Sequence, residues 1–394
     1  MRRMTPLVPA TLPFWLIFQA WRLAPGHVGS MVRHVDQVEC RKDASGKWVN
    51  QYHLLQEVGS GTFCKVRLAE SAAGIHAVKR FPRMVMQRRM VAKFDAEGAS
   101  MVPFQQCIEQ EIQILERIHH PQIVELQEVI NDPKDDNLYL IFEGLPGCQL
   151  MDWSERSCTY SARPSVNLFG SAVVDSRRDT VGAASTLVFR EVLAKHFAQQ
   201  LAEGICYMHS LGVIHKDLKP DNLVLSKQVP DDPALLCTLD VAEWPKLTVM
   251  GDKEEGSKVN CEDLVVKIAD FNCAEECQEP DFLIYDAQGT QSFTPPECFK
   301  KDEEGVNIKG KPRDMWSLGC VLFVLVYGRC PFSAESNLLL QLDIMQCELV
   351  MPEGGPWLSA EYLQLLRSLL SAEADARPSA QAILQSGWLV EGTQ

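Results

Sequence analysis

Three polar side chains in the stretch Val213-Ile-His-Lys-Asp-Leu-Lys-Pro-Asp-Asn-Leu-Val-Leu225 stand at small fixed offsets: Asp217, Lys219 and Asn222. The stretch reads as a short loop that runs into an apolar strand. A carboxylate, a cation and an amide oxygen held within a few ångströms by one rigid loop can serve as proton acceptor, counter-charge and metal ligand. Such a set is suited to moving a phosphoryl group onto a hydroxyl. The plainer alternative is a polar turn rich in Asp and Pro. Further motifs, in a workable order along the chain, argue against it.

One of them lies upstream, between two predicted strands: Val58, Gly59, Ser60, Gly61, Thr62, Phe63, Cys64 and, beyond Lys65, Val66. Glycines there let backbone amides fold over phosphates with no side chain in the way. The pattern is weak alone, and Cys64 stands where a third glycine belongs. The next strand, Ile75–Phe81, strengthens it. Ala77 is small enough to lie against an adenine ring, and Lys79 follows on the same strand face, within reach of the first two phosphates. A lone lysine in an apolar strand is usually an edge residue. The glycine turn before it favours the phosphate-binding role.

The elements that must position these groups are legible in outline. Residues 105–119 carry Ile108, Ile112, Leu115 and Ile118 at helical spacing. Glu109 and Glu111 on that helix could each pair Lys79. Glu111, which directly precedes the apolar pattern, is the chosen partner. Strands are expected over Tyr52–Val58, Ile123–Ile130 and Leu138–Glu143. Phe142 would wall the rear of a nucleotide pocket. Glu143-Gly-Leu145 would cross to a second lobe and meet the adenine edge with its backbone, and Val224 completes the nucleotide-binding set. A long helix is expected over Leu187–Leu211 and a strand over Leu264–Ala269. Asp314–Tyr327 is apolar on all sides, which reads as a buried helix too short to span a membrane. Insertions are expected near 82–104, 152–186 and 228–263. The first is basic (Arg83, Arg88, Arg89, Lys93) and reads either as a solvated loop or as a docking surface for an acidic partner.

The chain has 394 residues, 46% of them hydrophobic, enough for a sizeable core in one large two-lobed domain or two ordinary ones. A formal charge of −14 argues against nucleic acid and anionic membranes as partners. The 14 cysteines show no paired CxxC and no zinc spacing, so they read as reduced thiols of a cytoplasmic protein. The apolar run Leu7–Trp21 follows a basic start, but it holds Pro9 and Pro13 and lacks a small-residue cleavage site. It reads as an extension or an upstream start. Membrane contact through residues 5–21 is the lesser alternative. Residues 25–48 read as a linker.

With these motifs in order, residues 50–391 resemble a eukaryotic protein kinase throughout. The resemblance implies an α+β, two-lobed protein kinase fold. Its small antiparallel β lobe with one helix would cover 49–143, its large and mainly helical lobe 144–391, behind a poorly ordered extension, 1–48. It implies ATP and Mg2+ as cofactors and gives the residues roles. Asp217 accepts the hydroxyl proton and Lys219 sits on the transferring phosphate. Asn222 and Asp270 ligate magnesium, while Lys79 and Glu111 align the phosphates. His215, Phe271, Thr290, Glu297, Asp314 and Arg377 would be structural, or would belong to the activation segment. Glu297 is expected to pair with Arg377, Asp314 to bond the catalytic-loop backbone, and Thr290 to bond Asp217 and Lys219 rather than take a phosphate. Lys219, two residues after Asp217, looks like the serine/threonine branch. Within it the chain is similar to the calcium/calmodulin-dependent protein kinase kinases. Leu126–Glu143, the basic insertion and Tyr327-Gly-Arg-Cys-Pro-Phe332 carry that likeness. It implies a protein substrate, another kinase, in intracellular signalling.

Four departures stand beside the resemblance. Cys64 replaces a glycine and loosens the phosphate grip. Asn272 replaces the glycine of the Asp-Phe-Gly motif. Lys216 replaces the arginine that clamps a phosphorylated activation segment, and lysine lacks the bidentate fork. With Glu275, Glu276, Glu279, Asp281 and Asp286 already in that segment, activity without its phosphorylation is expected. Finally, no basic amphipathic helix follows the domain before Gln394, so no calmodulin-binding segment is seen. The alternative to an enzyme is a pseudokinase: a nucleotide- and partner-binding scaffold.

Overall fold

The computed structural model describes residues 31–44, 46–61, 63–95, 98–147, 149–162, 185–229, 236–240, 247–248, 263–278, 282–300, 308–351 and 358–390. Thr62, Glu279, Asp281, the apolar run at 5–21 and the acidic stretch Asp252–Glu255 lie outside these residues.

The small lobe is built on an eight-stranded sheet. Its spatial order is Arg33–Val35, Leu126–Ile130, Asn137–Glu143, Gly74–Pro82, Lys65–Ser71, Tyr52–Ser60, Gly46–Val49 and Cys40–Asp43. Tight turns generate the central meander. Ser71 faces Gly74 across one of them, and Gly74 takes φ +125, a conformation open to glycine and costly for other residues. The register puts Lys79 between Val66 on one neighbour and Leu140 on the other. Ala77 lies two residues along, opposite Phe142.

The helix Phe104–Arg117 lies in the same lobe and buries Ile108, Glu111, Ile114 and Leu115. That spacing of three and four residues is one helical face, so Glu111 is carried into the core with its apolar neighbours.

The structure moves three boundaries. Residues 33–49, expected in the extension and linker, supply three strands, and Arg33–Val35 pairs in parallel with Leu126–Ile130. Val35 and Val38 pack against the apolar cluster of Val49, Tyr52, Ile130 and Tyr139, which draws the segment onto the sheet. The strands are too short to show an alternating pattern in the sequence. The basic insertion is ordered as the helix Arg83–Arg88 and a hairpin of Met90–Asp95 with Gly98–Pro103, so the lobe has a second helix. Its Arg83 ties back to the 131–136 turn through Asn131 Oδ1 (2.7 Å) and the carbonyls of Asp132 and Asp135 (2.6 and 2.8 Å). The long helix of the large lobe spans Glu191–Ser210 and begins later than its apolar pattern suggested. Ser185–Phe189, which spans the end of one expected insertion and the start of the expected helix, is a strand paired with Leu236–Asp240 of another insertion. β-branched and aromatic residues (Thr186, Val188, Phe189) favour that outcome.

The large lobe is organised by Glu191–Ser210 and by Gly310–Tyr327. The second is buried from Arg313 to Tyr327, as an all-round apolar helix must be. No helix among the described residues is long and apolar enough to cross a membrane.

Candidate active site

Lys79 projects from its strand into the space between the lobes and meets two carboxylates, Glu111 Oε1 and Asp270 Oδ1, each at 2.7 Å. Lys79 and Glu111 are both buried. Burial alone would discharge the ammonium, but the two adjacent carboxylates overcome it and hold its pKa above the usual lysine value. Burial likewise opposes ionisation of Asp270, and Lys79 outweighs it, so that carboxyl lies below its ordinary range. Asp270 stands at φ +62, a conformation uncommon outside glycine and asparagine. Phe271 behind it is buried and packs edge-on against His215 at 4.9 Å.

Above Lys79 the glycine turn is closed by the Gly61 N–H, which donates to the Cys64 carbonyl at 3.0 Å. Gly59 faces Val66 in the ladder. Phe63 packs on Phe104 (centroids 4.8 Å apart) with the Arg89 guanidinium 5.3 Å from its ring. Cys64 is half-buried, and burial raises its thiol pKa despite nearby Lys79. At the crossing, Phe142 is buried while Glu143 and Leu145 are half-buried. Val224 lies opposite Lys267 in the short ladder below.

The catalytic loop is suspended from one buried carboxylate. Asp314 Oδ2 accepts from the His215 N–H (2.9 Å) and lies 2.9 Å from His209 Nε2, while Oδ1 accepts from the Lys216 N–H at 3.0 Å. Asp314 is fully buried, and these donors, His209 foremost, overcome the cost of burial and hold its carboxyl low. On this frame Asp217 is bonded through both oxygens. Oδ1 accepts from the Thr290 N–H and hydroxyl, each at 2.8 Å. Oδ2 accepts from Asn222 Nδ2 and from Lys219 Nζ, each at 3.0 Å. Lys219 also donates to the Thr290 hydroxyl at 2.8 Å. Asn222 Nδ2 also donates to the Asp217 carbonyl at 2.8 Å, so the amide nitrogen is used and its Oδ1 remains an acceptor.

The activation segment is anchored at several points. Arg377 forms the fork expected with Glu297, at 2.6 and 2.7 Å, and also bonds the Ser371 and Pro312 carbonyls. Lys216 reaches Glu275 and Asp286, and Arg313 bonds the carbonyls of Asp286, Lys216 and Gln288.

Several of these residues escaped the motif reading. Arg313, fully buried, is one. Lys267 is another: its ammonium lies 2.7 Å from Glu143 Oε1, fastening the crossing strand to the strand before Asp270. Gly144 is a third, because a Cβ there would overlap the Ile75 carbonyl. Nothing in the sequence marked Arg313 or Lys267. Gly144 was legible only as part of the crossing.

The donor set of this site suits a nucleotide with a divalent ion. Asp270 and Asn222 are the two oxygen donors in reach of this chemistry, a carboxylate bonded to Lys79 and an amide bonded to Asp217. Among the described residues, no group of three or more His, Cys, Asp or Glu could hold a metal unaided. Two protein oxygens with the rest of the shell from phosphates and water is the usual arrangement for a magnesium ion on a nucleotide, so the residues fit.

Residues 52–389 match the family model of the protein kinase domain. The serine/threonine-protein kinase GRIK2 of Arabidopsis thaliana is 24% identical, over 91% of this chain and 70% of that protein. A calcium/calmodulin-dependent protein kinase kinase of Caenorhabditis elegans is 26% identical, over 92% of this chain and 57% of its own length. The serine/threonine-protein kinase ssp1 of Schizosaccharomyces pombe is 27% identical, over 88% of this chain and 43% of its own. The chain belongs to the protein kinase family and, on Lys219 and these relatives, to its serine/threonine branch.

Proposed function

We propose that this kinase phosphorylates a Ser or Thr in the activation segment of another protein kinase, as an upstream enzyme of intracellular signalling in the cytoplasm. The observation that carries the transfer chemistry is the set of bonds on Asp217. One oxygen is turned by Thr290 and the other by Asn222 and Lys219. A carboxylate oriented this way lies at hydrogen-bond reach of an incoming hydroxyl once the substrate is seated, and can take its proton.

Bound ATP with Mg2+ supplies the γ-phosphoryl group. Lys79, held by Glu111, would align the α and β phosphates under the glycine turn. Asp270 and Asn222 would hold the ion. Lys219 offsets charge on the moving group, and Asp217 orients and deprotonates the acceptor. Ala77, Val58, Val66, Leu145 and Val224 would enclose the adenine, and the backbone at Glu143 and Leu145 would meet its polar edge. The upstream role is supported by the likeness to a calcium/calmodulin-dependent protein kinase kinase. The bonds that orient Asp217, beside the formed Lys79–Glu111 pair, support the enzyme over a nucleotide- and partner-binding scaffold.

The test compares acceptors. A catalytically dead AMP-activated-type kinase should be labelled at its activation-segment threonine, and at a higher rate than a generic basic protein. Equal labelling of both would discard the upstream role and keep the enzyme.

A further inference from the structure

Lys216 occupies the position directly before Asp217, is 5% exposed and takes φ +67, in the left-handed region. Its ammonium has three hydrogens and meets three acceptors: Glu275 Oε2 at 2.8 Å and both oxygens of Asp286 at 3.0 Å. Arg313, 0% exposed, lies on the other side of Asp286, donating to its carbonyl at 3.0 Å with a guanidinium nitrogen 3.9 Å from Oδ1. Two cations buried side by side are tolerated only with a compensating anion. Asp286, 7% exposed, is the anion beside both cations, while Glu275 meets Lys216.

We propose that Asp286 is the positioning residue that sets the catalytic loop in place of a phosphate on the activation segment, so that this kinase is active as synthesised. The proposal rests on phosphoryl transfer at Asp217 and not on which protein is phosphorylated. All three lysine hydrogens are used, which leaves none for an added phosphate. The coupling to Asp217 runs along both sides of one closed ring. On one side Asp286 holds Lys216, whose backbone leads directly into Asp217. On the other, Asp286 Oδ1 accepts the Gln288 N–H at 3.0 Å, and the Gln288 carbonyl is bonded by Arg313. The chain then passes through Gly289 to Thr290, which bonds Asp217. Gly289 itself takes φ +128 and lies against the Lys216 carbonyl, where a Cβ would not fit. Loss of the Asp286 charge would therefore leave Lys216 to Glu275 and weaken the Gln288 contact, loosening the hold on Asp217, while leaving Lys79, Glu111 and Asp270 untouched.

The test uses the full chain, with kcat, the KM for ATP and thermal melting measured together. Treatment of the wild type with a broad-specificity protein phosphatase should leave kcat unchanged. Asp286→Asn should lower kcat by about tenfold or more, with the ATP KM moving by less than about threefold. Asp286→Glu should restore most of the rate. Should Asp286→Asn fail to fold because it strands two cations, Lys216→Met combined with Asp286→Asn removes one of them and is read instead. It should melt as a folded protein and still show the low kcat. An Asp286→Asn or double variant with the wild-type kcat overturns the proposal, as does a wild type silenced by phosphatase. A wild type that transfers nothing before treatment overturns both this and the transfer chemistry. A parallel loss of kcat and ATP binding would assign Asp286 to general stability instead.

Discussion

Thr290 meets one oxygen of Asp217 twice, through its N–H and its hydroxyl, both at 2.8 Å. The same hydroxyl accepts from Lys219 at 2.8 Å, so its one hydrogen is committed to Asp217. The segment that carries Thr290 therefore reaches Asp217 by a direct bond, and the segment's order and that carboxylate's orientation are one property.

Thr290→Val keeps the shape and the N–H bond but removes the hydroxyl. A hydrogen bond to a charged group is worth about 1.5–3 kcal/mol, so kcat should fall roughly 10–100-fold, with Thr290→Ser near the wild-type rate. Steady-state kinetics on the two variants decide it, and a Thr290→Val enzyme at full rate would remove the hydroxyl from the account.

Glu111 is 2% exposed and its partner is Lys79. Lys79→Met leaves that carboxylate, and Asp270 beside it, without a cation. Removing one member of a buried pair costs about 3–5 kcal/mol, and Glu111→Gln alongside Lys79→Met should recover part of it. Denaturant unfolding of the singles and the double measures the coupling. Strictly additive losses would mean that the pair contributes nothing specific.

Far from the nucleotide, Arg377 holds Glu297 with a bidentate fork and is 7% exposed. Arg377→Lys cannot reproduce the fork. It should lower the melting temperature by several degrees, with the Glu297→Gln variant close behind and the two effects not additive. Differential scanning calorimetry gives the answer, and an unchanged melting point in both would contradict the role.

His120 is stacked on Tyr207 (centroids 4.9 Å) and accepts the Gln122 N–H at Nδ1. Burial, helped by the Lys267 charge, pushes its pKa down to about 4 from an ordinary 6.5. The unfolded chain binds the proton more readily, so His120 contributes stability above about pH 6.5 that is lost as pH falls through 4. The loss amounts to at most about 3 kcal/mol. His120→Gln should flatten that part of the stability–pH curve. A curve that keeps its wild-type slope between pH 6.5 and 4 in the variant would sink this assignment.

Much of this was legible because chemistry fixes residue types at short offsets. Asp217, Lys219 and Asn222 lie within one loop, and Ala77 and Lys79 share a strand face. The Asp314–Tyr327 run could only be buried. What was not legible depends on contacts distant in sequence. Arg33–Val35 is too short for a pattern and becomes a strand only because Leu126–Ile130 offers an edge. Met90–Pro103 folds as a hairpin whose alternation is blurred by exposed Met90, Phe94 and Met101. Acidic residues after Asp270 were visible as a cluster. That Glu275 and Asp286 are the ones on Lys216 follows from the path of the segment. Arg313 carries no signal at all until the neighbouring carbonyls are in place.

The most direct measurement is transfer of labelled γ-phosphate from ATP, with magnesium, to a protein acceptor by the wild type and by Asp217→Asn, with nucleotide binding followed in parallel. The account predicts transfer by the wild type, a loss of about 10²–10⁴-fold in the variant, and nucleotide binding kept in both. Undiminished transfer by Asp217→Asn, or a wild type that binds nucleotide and transfers nothing, would contradict it.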